Sequence, residues 1–380
     1  MFKKLSSIEN QAERRELYGL LKIFTAFFLR LVELSAMLLL ACGLAWRLSG
    51  AIEARTGPYL GAPISLGLML LVVALPRLGL LYCQSRLKAD FGLDPRPSNT
   101  IFKTILAREV RLGALVWLIS LILYLALVAL NLWFWSLFAL ALGLALNFLP
   151  AWRPALLWPE KFRPLAEDEL SPELLDRLDK WSLKSGLDRQ SLAVETSFRP
   201  ELEKPRVARL NGGDRLVIPE KALVAFPTRA LNFLVASAMM EYMARAPRYF
   251  LLLRLCGLAV AIPMAAMFIN ISETGLGPHW GQGSPALLSL VWLAAWLSGL
   301  LTALSTHLTR RSLEIQAAAI ASIVLKDDES LPLALETLAA RNLEEDSPPA
   351  WREFFRPSYG RKEFLKRVSL SKHMIELEQN

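Results

Sequence analysis

The sequence predicts a polytopic α-helical membrane protein with a cytoplasmic α+β domain. Hydrophobic residues make up 54% of its 380 residues and the mean hydropathy is +0.35, yet 21% of the residues are charged. The two values fit one chain only if apolar and charged residues are segregated along it. Such segregation excludes a soluble globule, a disordered chain and a fibrous repeat. Two long polar stretches remain between and after the apolar ones, and they carry helix and strand patterns.

Six stretches are long and apolar enough to cross a bilayer, whose hydrocarbon core takes about 20 residues of helix. They are Ile23–Trp46, Tyr59–Cys83, Leu112–Leu130, Leu132–Leu149, Tyr249–Ile269 and Pro285–His307. The fourth carries Trp133 and Trp135 at its start, and tryptophan is typical of a membrane interface. The number of spans near the N-terminus stays open, because one more or re-entrant helix fits the same pattern.

The frequency of lysine and arginine alternates between high and low from one predicted loop to the next. They are frequent before the first span and in the loop after the second, whereas the connection at Asn131 and the loop Asn270–Ser284 have none. Because cytoplasmic loops carry the positive excess, both termini and all large polar segments are predicted to be cytoplasmic. The same excess accounts for the net charge of +8, so membrane lipid is expected as a partner and nucleic acid is not.

Four segments follow from this topology. Residues 1–150 form an N-terminal membrane part with four spans, and 151–248 form a cytoplasmic segment. Residues 249–308 hold the fifth and sixth spans, and 309–380 form a C-terminal cytoplasmic segment. Neither polar segment is long enough to bury a large hydrophobic core alone, so the two are expected to fold together beneath the membrane.

The first polar segment shows a clear order of elements. Ser171 and Pro172 provide an N-cap and a first-turn proline for a helix. A short strand follows at Ser191–Thr196, and Val207–Ile218 has the pattern of a hairpin closed by an Asn-Gly turn. A helix then opens after Pro227 and continues to about Arg245. The three cysteines are dispersed in apolar stretches and indicate neither a disulfide framework nor a metal cluster.

Several local stretches match one known pattern in the same order. They are Lys88–Asp94 ("FGFN"), Leu157–Leu165 ("PLFNKFTPL"), Ala208–Ile218 ("NAY…G…RIVV"), Leu331–Leu338, and Phe355–Ser358 (an "HP" step). The chain also has four spans, a strand-rich segment, a helix, two spans and a polar helix starting at Arg310. In both respects it resembles the type 1 CAAX prenyl protease family, the membrane zinc metallopeptidases of peptidase family 48. The resemblance implies a gluzincin-type, metallopeptidase-like cytoplasmic domain.

The family's chemistry depends on a His-Glu-x-x-His helix, in which two histidines hold zinc and the glutamate activates water. Alignment with "AVLAHELGHI" places Ser237 and Glu241 at the ligands and Ala238 at the general base. The third ligand maps onto Glu314. The aspartate four residues later maps onto Ala318, and the histidine of the "HP" step maps onto Arg356.

These substitutions indicate a degenerate zinc site. Alanine cannot accept a proton and serine is a poor zinc ligand. The chain has only His279, His307 and His373, so no shifted motif is hidden elsewhere. We therefore expect no catalytic residue, no metal and no cofactor. The sequence favours a catalytically inactive homologue, a pseudopeptidase, that binds a membrane-associated peptide or a partner protein.

Two other functions remain open from the sequence. One is an active zinc metallopeptidase with atypical ligands, for which Glu241, Glu314 and His307 are the candidates. The other is a transporter or lipid-handling protein that uses an internal chamber. Glu241, Glu314 and Arg356 have two possible roles. They either form the polar floor of a former active site or form an ion pair that links the two cytoplasmic segments.

The family holds substrate as an extended strand added to a sheet edge, so the resemblance implies a binding edge on the hairpin. Its candidate residues are Ala208, Leu210, Asn211 and Gly212. Charges inside the first span are a separate candidate feature. Arg30 and Glu33 share a helix face, and they either line a water-filled chamber or form a snorkelling pair at the membrane edge. Arg77 and Arg254 are expected to snorkel.

Overall fold

The computed structural model describes most of the chain. The described residues are 11–148, 162–166, 169–185, 187, 191–196, 201–210, 213–244, 246–273, 284–345, 348–349 and 359–379. Of the predicted features, Arg356, Asn211, Gly212, His279 and the stretches at 157–161 and 355–358 lie outside these residues.

Long helices make up the N-terminal half of the described chain. They are α1 (Gln11–Leu39), α2 (Ala45–Asp90), α3 (Ser98–Ala129) and α4 (Leu132–Phe148). A π-helical turn, Leu40–Leu44, joins α1 to α2. Within α2, Gly57 adopts a φ of 76°, which side chains with a Cβ rarely tolerate, and this residue separates the first span from the second.

Five helical segments of the described chain are long and apolar enough to cross a membrane. They are Gln11–Gly57, Tyr59–Asp90, Ser98–Ala129, Arg248–Ser272 and Leu287–Leu325. The fourth predicted span corresponds to a shorter apolar helix, Leu132–Leu146. The prediction of a membrane protein built from these segments is confirmed, while the total of six spans and the cytoplasmic termini stay predictions.

The two interface tryptophans differ in the structure. Trp133 is 71% exposed, which fits a membrane-facing position. Trp135 is fully buried and its Nε1–H donates a hydrogen bond to the Leu123 carbonyl oxygen at 3.0 Å. The prediction for Trp135 was wrong because residues two apart on a helix point to different faces, and this one faces the bundle.

The polar part contains a four-stranded sheet of order β1-β2-β4-β3. Its strands are β1 (Phe162–Pro164), β2 (Leu192–Glu195), β3 (Arg206–Leu210) and β4 (Gly213–Pro219). β4 runs parallel to β2 and antiparallel to β3, with Leu210 paired to Gly213 across a two-residue connection. The predicted strand and hairpin are therefore confirmed.

The remaining helices are α5 (Pro172–Ser185), α6 (Glu220–Ala225), α7 (Thr228–Met243), α8 (Ala246–Glu273), α9 (Leu287–Leu325), α10 (Ser330–Asn342) and α11 (Arg361–Gln379). The Ser171 hydroxyl accepts a hydrogen bond from the Leu174 N–H at 3.3 Å, as expected of an N-cap. The predicted polar helix starting at Arg310 was wrong in its start, because α9 continues the sixth span without a break. The boundary predicted at residues 308–309 therefore falls inside one helix.

The membrane part and the polar part are stabilised by separate clusters of buried apolar residues. One lies in the membrane part and includes Leu66, Met69, Trp135 and Ile269. Two others lie in the polar part, one between the sheet, α5 and α7 and one between α7, α9 and α11. The polar part thus combines residues from both predicted cytoplasmic segments around α7, as the sequence led us to expect.

Glu201 joins the polar part to the membrane helices. Its Oε1 accepts hydrogen bonds from the Tyr18 hydroxyl at 3.2 Å and the Lys22 Nζ at 3.1 Å, and Lys88 Nζ lies 3.2 Å away. Burial raises the pKa of this carboxyl, but Lys22 and Lys88 outweigh it and hold the pKa at about 2. The carboxylate therefore stays charged at physiological pH and connects α1 and α2 to the polar part.

Candidate functional site

Packing of α7 on α9 brings together the two acidic residues that the alignment selected. Glu241 lies near the end of α7, and Glu314 lies in the part of α9 beyond the membrane-spanning stretch. Burial raises the pKa of Glu241, and the nearby Glu314 carboxylate raises it further, while Arg310 and Lys204 act against both. The structure thus places these two carboxylates in electrostatic contact.

Glu314 is held on one side only. Its Oε1 accepts a hydrogen bond from Arg310 Nε at 3.2 Å, an i,i+4 pair that the sequence already contained but that we did not single out. Its Oε2 is buried and has no hydrogen-bond partner in the described part of the chain. An unmatched buried carboxylate oxygen is costly, so this end of the pair is a position where a cationic or hydrogen-bonding group would be favourable.

The other aligned positions are apolar or weakly polar. Ala238 and Ala318 are both buried, Ala238 in the cluster with the sheet and Ala318 in the cluster of α7, α9 and α11. Ser237 is half-buried one turn before Glu241. Arg356 lies outside the described residues, so its predicted contact with the two glutamates stays a prediction.

The residues at this position do not fit a zinc ion. A catalytic zinc takes three protein ligands, usually including histidine, plus a water. Here the donors are two carboxylates and a serine hydroxyl, and one carboxylate already binds Arg310. Within the described residues no group of three His, Cys, Asp or Glu side chains is arranged to hold a metal. The alternative site of His307 with Glu241 and Glu314 therefore has no support from the described residues and stays an alternative.

A positive, aromatic cluster borders the pair on the α9 side. Arg311 is buried, and its guanidinium carbon lies 4.7 Å from the centroid of the Tyr359 ring. Arg367 of α11 stacks on the same ring at 4.3 Å. These contacts fix α11 against α9 through cation–π interactions. No sequence pattern signals them, because Arg311 lies about 50 positions before the other two residues and Tyr359 is outside any predicted element.

The hairpin presents β3 as an edge of the sheet. In the described residues β3 pairs with β4 alone, and it packs near α7. Because a two-residue connection places its flanking residues in a hydrogen-bonded pair, Leu210 and Ala208 direct their backbone groups to β4. The alternate residues Val207 and Arg209 then direct theirs outward. The sequence alone does not give the register of β3 with β4, so Ala208 and Leu210 were the residues predicted from it for the binding edge.

Replacing Glu241 with glutamine is expected to stabilise the protein at neutral pH. The raised pKa means that the charged form is disfavoured in the folded protein, so stability is lost as the pH rises through the folded pKa and recovered below it. Glu241→Gln should therefore raise the melting temperature at pH 7–8, with a gain that vanishes near the ordinary value of 4.5. The matched control is Glu336→Gln on α10, whose side chain is 63% exposed. An equal gain in both variants would contradict the burial argument.

Comparison with known proteins shows the fold but no close relative. No family model matches the sequence, and no curated protein sequence matches it. Among solved structures, the chain is similar to the crystal structure of S. mikatae Ste24p, with a TM-score of 0.68 and 17% sequence identity. The similarity covers 97% of this chain and 93% of that one. Ste24p is a CAAX prenyl protease of peptidase family 48, so the predicted resemblance and fold class are confirmed at the level of the fold.

Proposed function

We propose that this protein is a catalytically inactive homologue of the membrane metallopeptidases, a pseudopeptidase that binds a membrane-associated peptide or a segment of a partner protein. One observation carries the proposal. The elements of a Ste24p-like fold are in place, yet where α7 meets α9 the chain offers Ser237, Ala238, Glu241 and Glu314.

Hydrolysis by this fold would need a metal-bound water and a base. Zinc supplies the nucleophile by lowering the pKa of its bound water, and a glutamate takes the proton. At the base position, Ala238 has no group that accepts a proton. The two nearby carboxyl groups are also poor zinc ligands, because Glu314 is paired with Arg310 and the raised pKa of Glu241 favours its protonated form. An active enzyme with atypical ligands is therefore the weaker alternative.

Peptide binding at β3 would not need the lost side chains. An added strand is held mainly by main-chain hydrogen bonds, and these depend on backbone geometry alone. The outward-facing groups of Val207 and Arg209 provide donors and acceptors on an edge that lies beside α7. No proline occupies β3, whereas proline would protect an unused edge from pairing.

The proposed setting is the membrane. We place the polar part and both termini in the cytoplasm and infer six spans, with α4 as the shortest. The basic loops on one side of the bilayer support this orientation. The partner expected there is a peptide or membrane protein that reaches the polar part from the lipid surface.

A binding measurement with paired variants at one position tests the proposal. Peptides selected by display against the reconstituted protein are titrated against the natural protein, Arg209→Ala and Arg209→Pro. Proline removes the outward N–H and alanine retains it, so Arg209→Pro should bind about tenfold more weakly because about one hydrogen bond is lost. Arg209→Ala should bind within a small factor of the natural protein. Mass spectrometry of the bound peptide should show it intact.

Two results would overturn the proposal. Cleavage of the bound peptide, abolished by Glu314→Ala, would establish an active enzyme. Unchanged binding by an Arg209→Pro protein with a natural melting temperature would exclude β3 as the binding edge.

A further inference from the structure

A cavity of about 740 Å³ lies between the membrane helices and the polar part. It is bounded by one face of α1, by Trp296 and Leu300 of α9, and by chain segments after α10 and before α11. Its volume is in the range of ligand-binding pockets, about 300–1,000 Å³. It lies away from Glu241 and Glu314, neither of which lines it.

The wall formed by α1 extends from Tyr18 to Leu34. This stretch of helix rises about 24 Å, whereas the hydrocarbon of one leaflet is about 15 Å deep. The cavity is therefore long enough to follow an acyl chain and also the headgroup above it. Phe27, Leu31 and Leu300 form the apolar part, and all three side chains are exposed, so this part of the cavity is open on the membrane side.

Charges line the cavity in a definite order. The cation Lys22 comes from α1, at the polar end of the apolar lining, while Arg30 lies within that lining and is paired with Glu33. The carboxylates Glu344 and Glu345 come from the segment after α10, in the polar part. Lys22 donates one of the three N–H groups of its ammonium to Glu201, so it retains further N–H donors. From the membrane outward the order is apolar, positive, negative.

We propose that this cavity binds one phospholipid whose headgroup carries a primary amine. A phospholipid with such a headgroup has the complementary order of acyl chain, negative phosphate and positive ammonium. The phosphate would bind Lys22, since an ammonium with several N–H donors is suited to phosphate oxygens, whereas Arg30 lies about 12 Å further along α1 and stays paired with Glu33. The ammonium would reach Glu344 and Glu345. One acyl chain would lie along Phe27 and Leu31, and the other would remain in the bilayer.

The headgroup chemistry distinguishes this lipid from its neighbours. A quaternary ammonium has no N–H to donate to the two carboxylates, and an anionic headgroup without an amine would be repelled by them. The site is independent of the proposed peptide-binding edge, because it uses neither α7 nor β3. It would hold a lipid whether or not the protein is a peptidase.

Native mass spectrometry of the reconstituted protein tests the proposal. The full chain is incorporated into vesicles of phosphatidylethanolamine, phosphatidylcholine and phosphatidylglycerol with identical acyl chains, then released into detergent. We expect one retained phospholipid per chain, with phosphatidylethanolamine favoured about tenfold over phosphatidylcholine, because one charge-assisted hydrogen bond separates them.

Matched variants separate the cavity from general lipid contact. Leu31→Trp fills the apolar part and should abolish retention. Leu38→Trp is the control, since Leu38 lies on the same helix with the same 43% exposure but does not line the cavity. The double variant Glu344→Gln, Glu345→Gln should retain a lipid but lose the preference for the amine.

Three outcomes would overturn the proposal. They are equal retention by Leu31→Trp and the natural protein, equal retention of the three headgroups by the natural protein, and a bound mass that belongs to a lipid-modified peptide. All three can occur while Arg209→Pro still weakens peptide binding, so the two proposals can fail separately.

Discussion

Replacing both Ser237 and Glu241 with histidine is expected to give a protein that holds one zinc ion per chain, whereas the natural protein is expected to hold none. The two positions are four residues apart on α7, which places their side chains on one face of the helix. Glu314 lies on α9, which packs against α7, and its charge raises the pKa of Glu241. Two imidazoles and this carboxylate would supply the three protein ligands of an open zinc site.

Equilibrium dialysis with zinc, followed by metal analysis, measures the expected gain. The first control adds Glu314→Ala to the double variant, which should weaken zinc binding markedly because two ligands remain. The second control is Ser369→His, which places an imidazole one turn before His373 on the exposed face of α11. It creates a two-histidine site on a single helix, where the carboxylate on the same face, Glu376, lies a further turn along α11, so it should bind zinc more weakly than the double variant.

The double variant should bind zinc without cleaving peptides, because Ala238 still supplies no base. If it binds no more zinc than the Ser369→His control, α7 and α9 do not meet in the register inferred from the alignment. The interpretation of Glu241 and Glu314 as former ligand positions would then be wrong. Zinc in the natural protein, lost on Glu314→Ala, would instead show a working metal site.

Local rules predicted much of the polar part correctly. Ser171 before Pro172 gave the start of α5, and the Asn211-Gly212 pair between alternating residues gave the β3–β4 hairpin. In both cases the deciding interactions lie within a few residues of each other. Such short-range chemistry is independent of how the rest of the chain packs, so it can be derived without a structure.

Features that depend on packing could not be derived in this way. Hydropathy gives the same value to Trp133 and Trp135, yet one faces outward and the other packs in the bundle. The outward-facing side of β3 depends on its register with β4, and a shift of one residue would reverse it. The cavity joins α1 to segments more than 300 residues away, and no pattern in the sequence links them.

In the candidate site too, short-range contacts could be predicted from the sequence and long-range contacts could not. Composition and periodicity do not select Glu241 or Glu314, and the family resemblance alone proposed that they meet. The Arg310–Glu314 pair was available from its i,i+4 spacing. The stacking of Arg311 and Arg367 on Tyr359 was not, because Arg311 is about 50 positions away from the other two residues.

Glu33 is the centre of a buried charge network that unites four membrane helices. Its Oε2 accepts hydrogen bonds from Arg30 Nη1 at 3.0 Å and from Trp296 Nε1 of α9 at 3.3 Å. Its Oε1 lies 3.5 Å from Arg77 Nε of α2, which in turn lies 3.3 Å from Glu109 Oε2 of α3. Sequence reasoning paired Arg30 with Glu33 but treated Arg77 as a snorkelling side chain. The structure corrects that expectation, because Arg77 bridges two buried carboxylates.

Replacing Glu33 with alanine is therefore expected to destabilise the protein by about 2 kcal/mol, because its carboxylate is only 6% exposed and the hydrogen bonds that it accepts from Arg30 and Trp296 are lost. The loss stays below that of a fully buried ion pair, because Arg30 is 62% exposed and Arg77 keeps Glu109. Glu33→Gln should cost less, since the amide oxygen still accepts a hydrogen bond from Trp296. Thermal unfolding in detergent measures both, with Glu336→Ala as the exposed control, expected to change stability by less than about 1 kcal/mol.

A double-mutant cycle of Glu33→Ala with Arg77→Ala decides whether the network acts as a unit. Residues that share a buried contact give a combined loss that differs from the sum of the single losses, whereas independent residues add. We expect the double variant to lose less than the sum, since the contact between Glu33 and Arg77 is lost in each single variant and is therefore counted twice in that sum. Strict additivity, or a Glu33→Ala protein as stable as Glu336→Ala, would show that Glu33 is a solvated edge charge. The four helices would then be held together by their apolar contacts and by hydrogen bonds outside the network, such as that from Trp292 Nε1–H of α9 to Ser120 Oγ of α3.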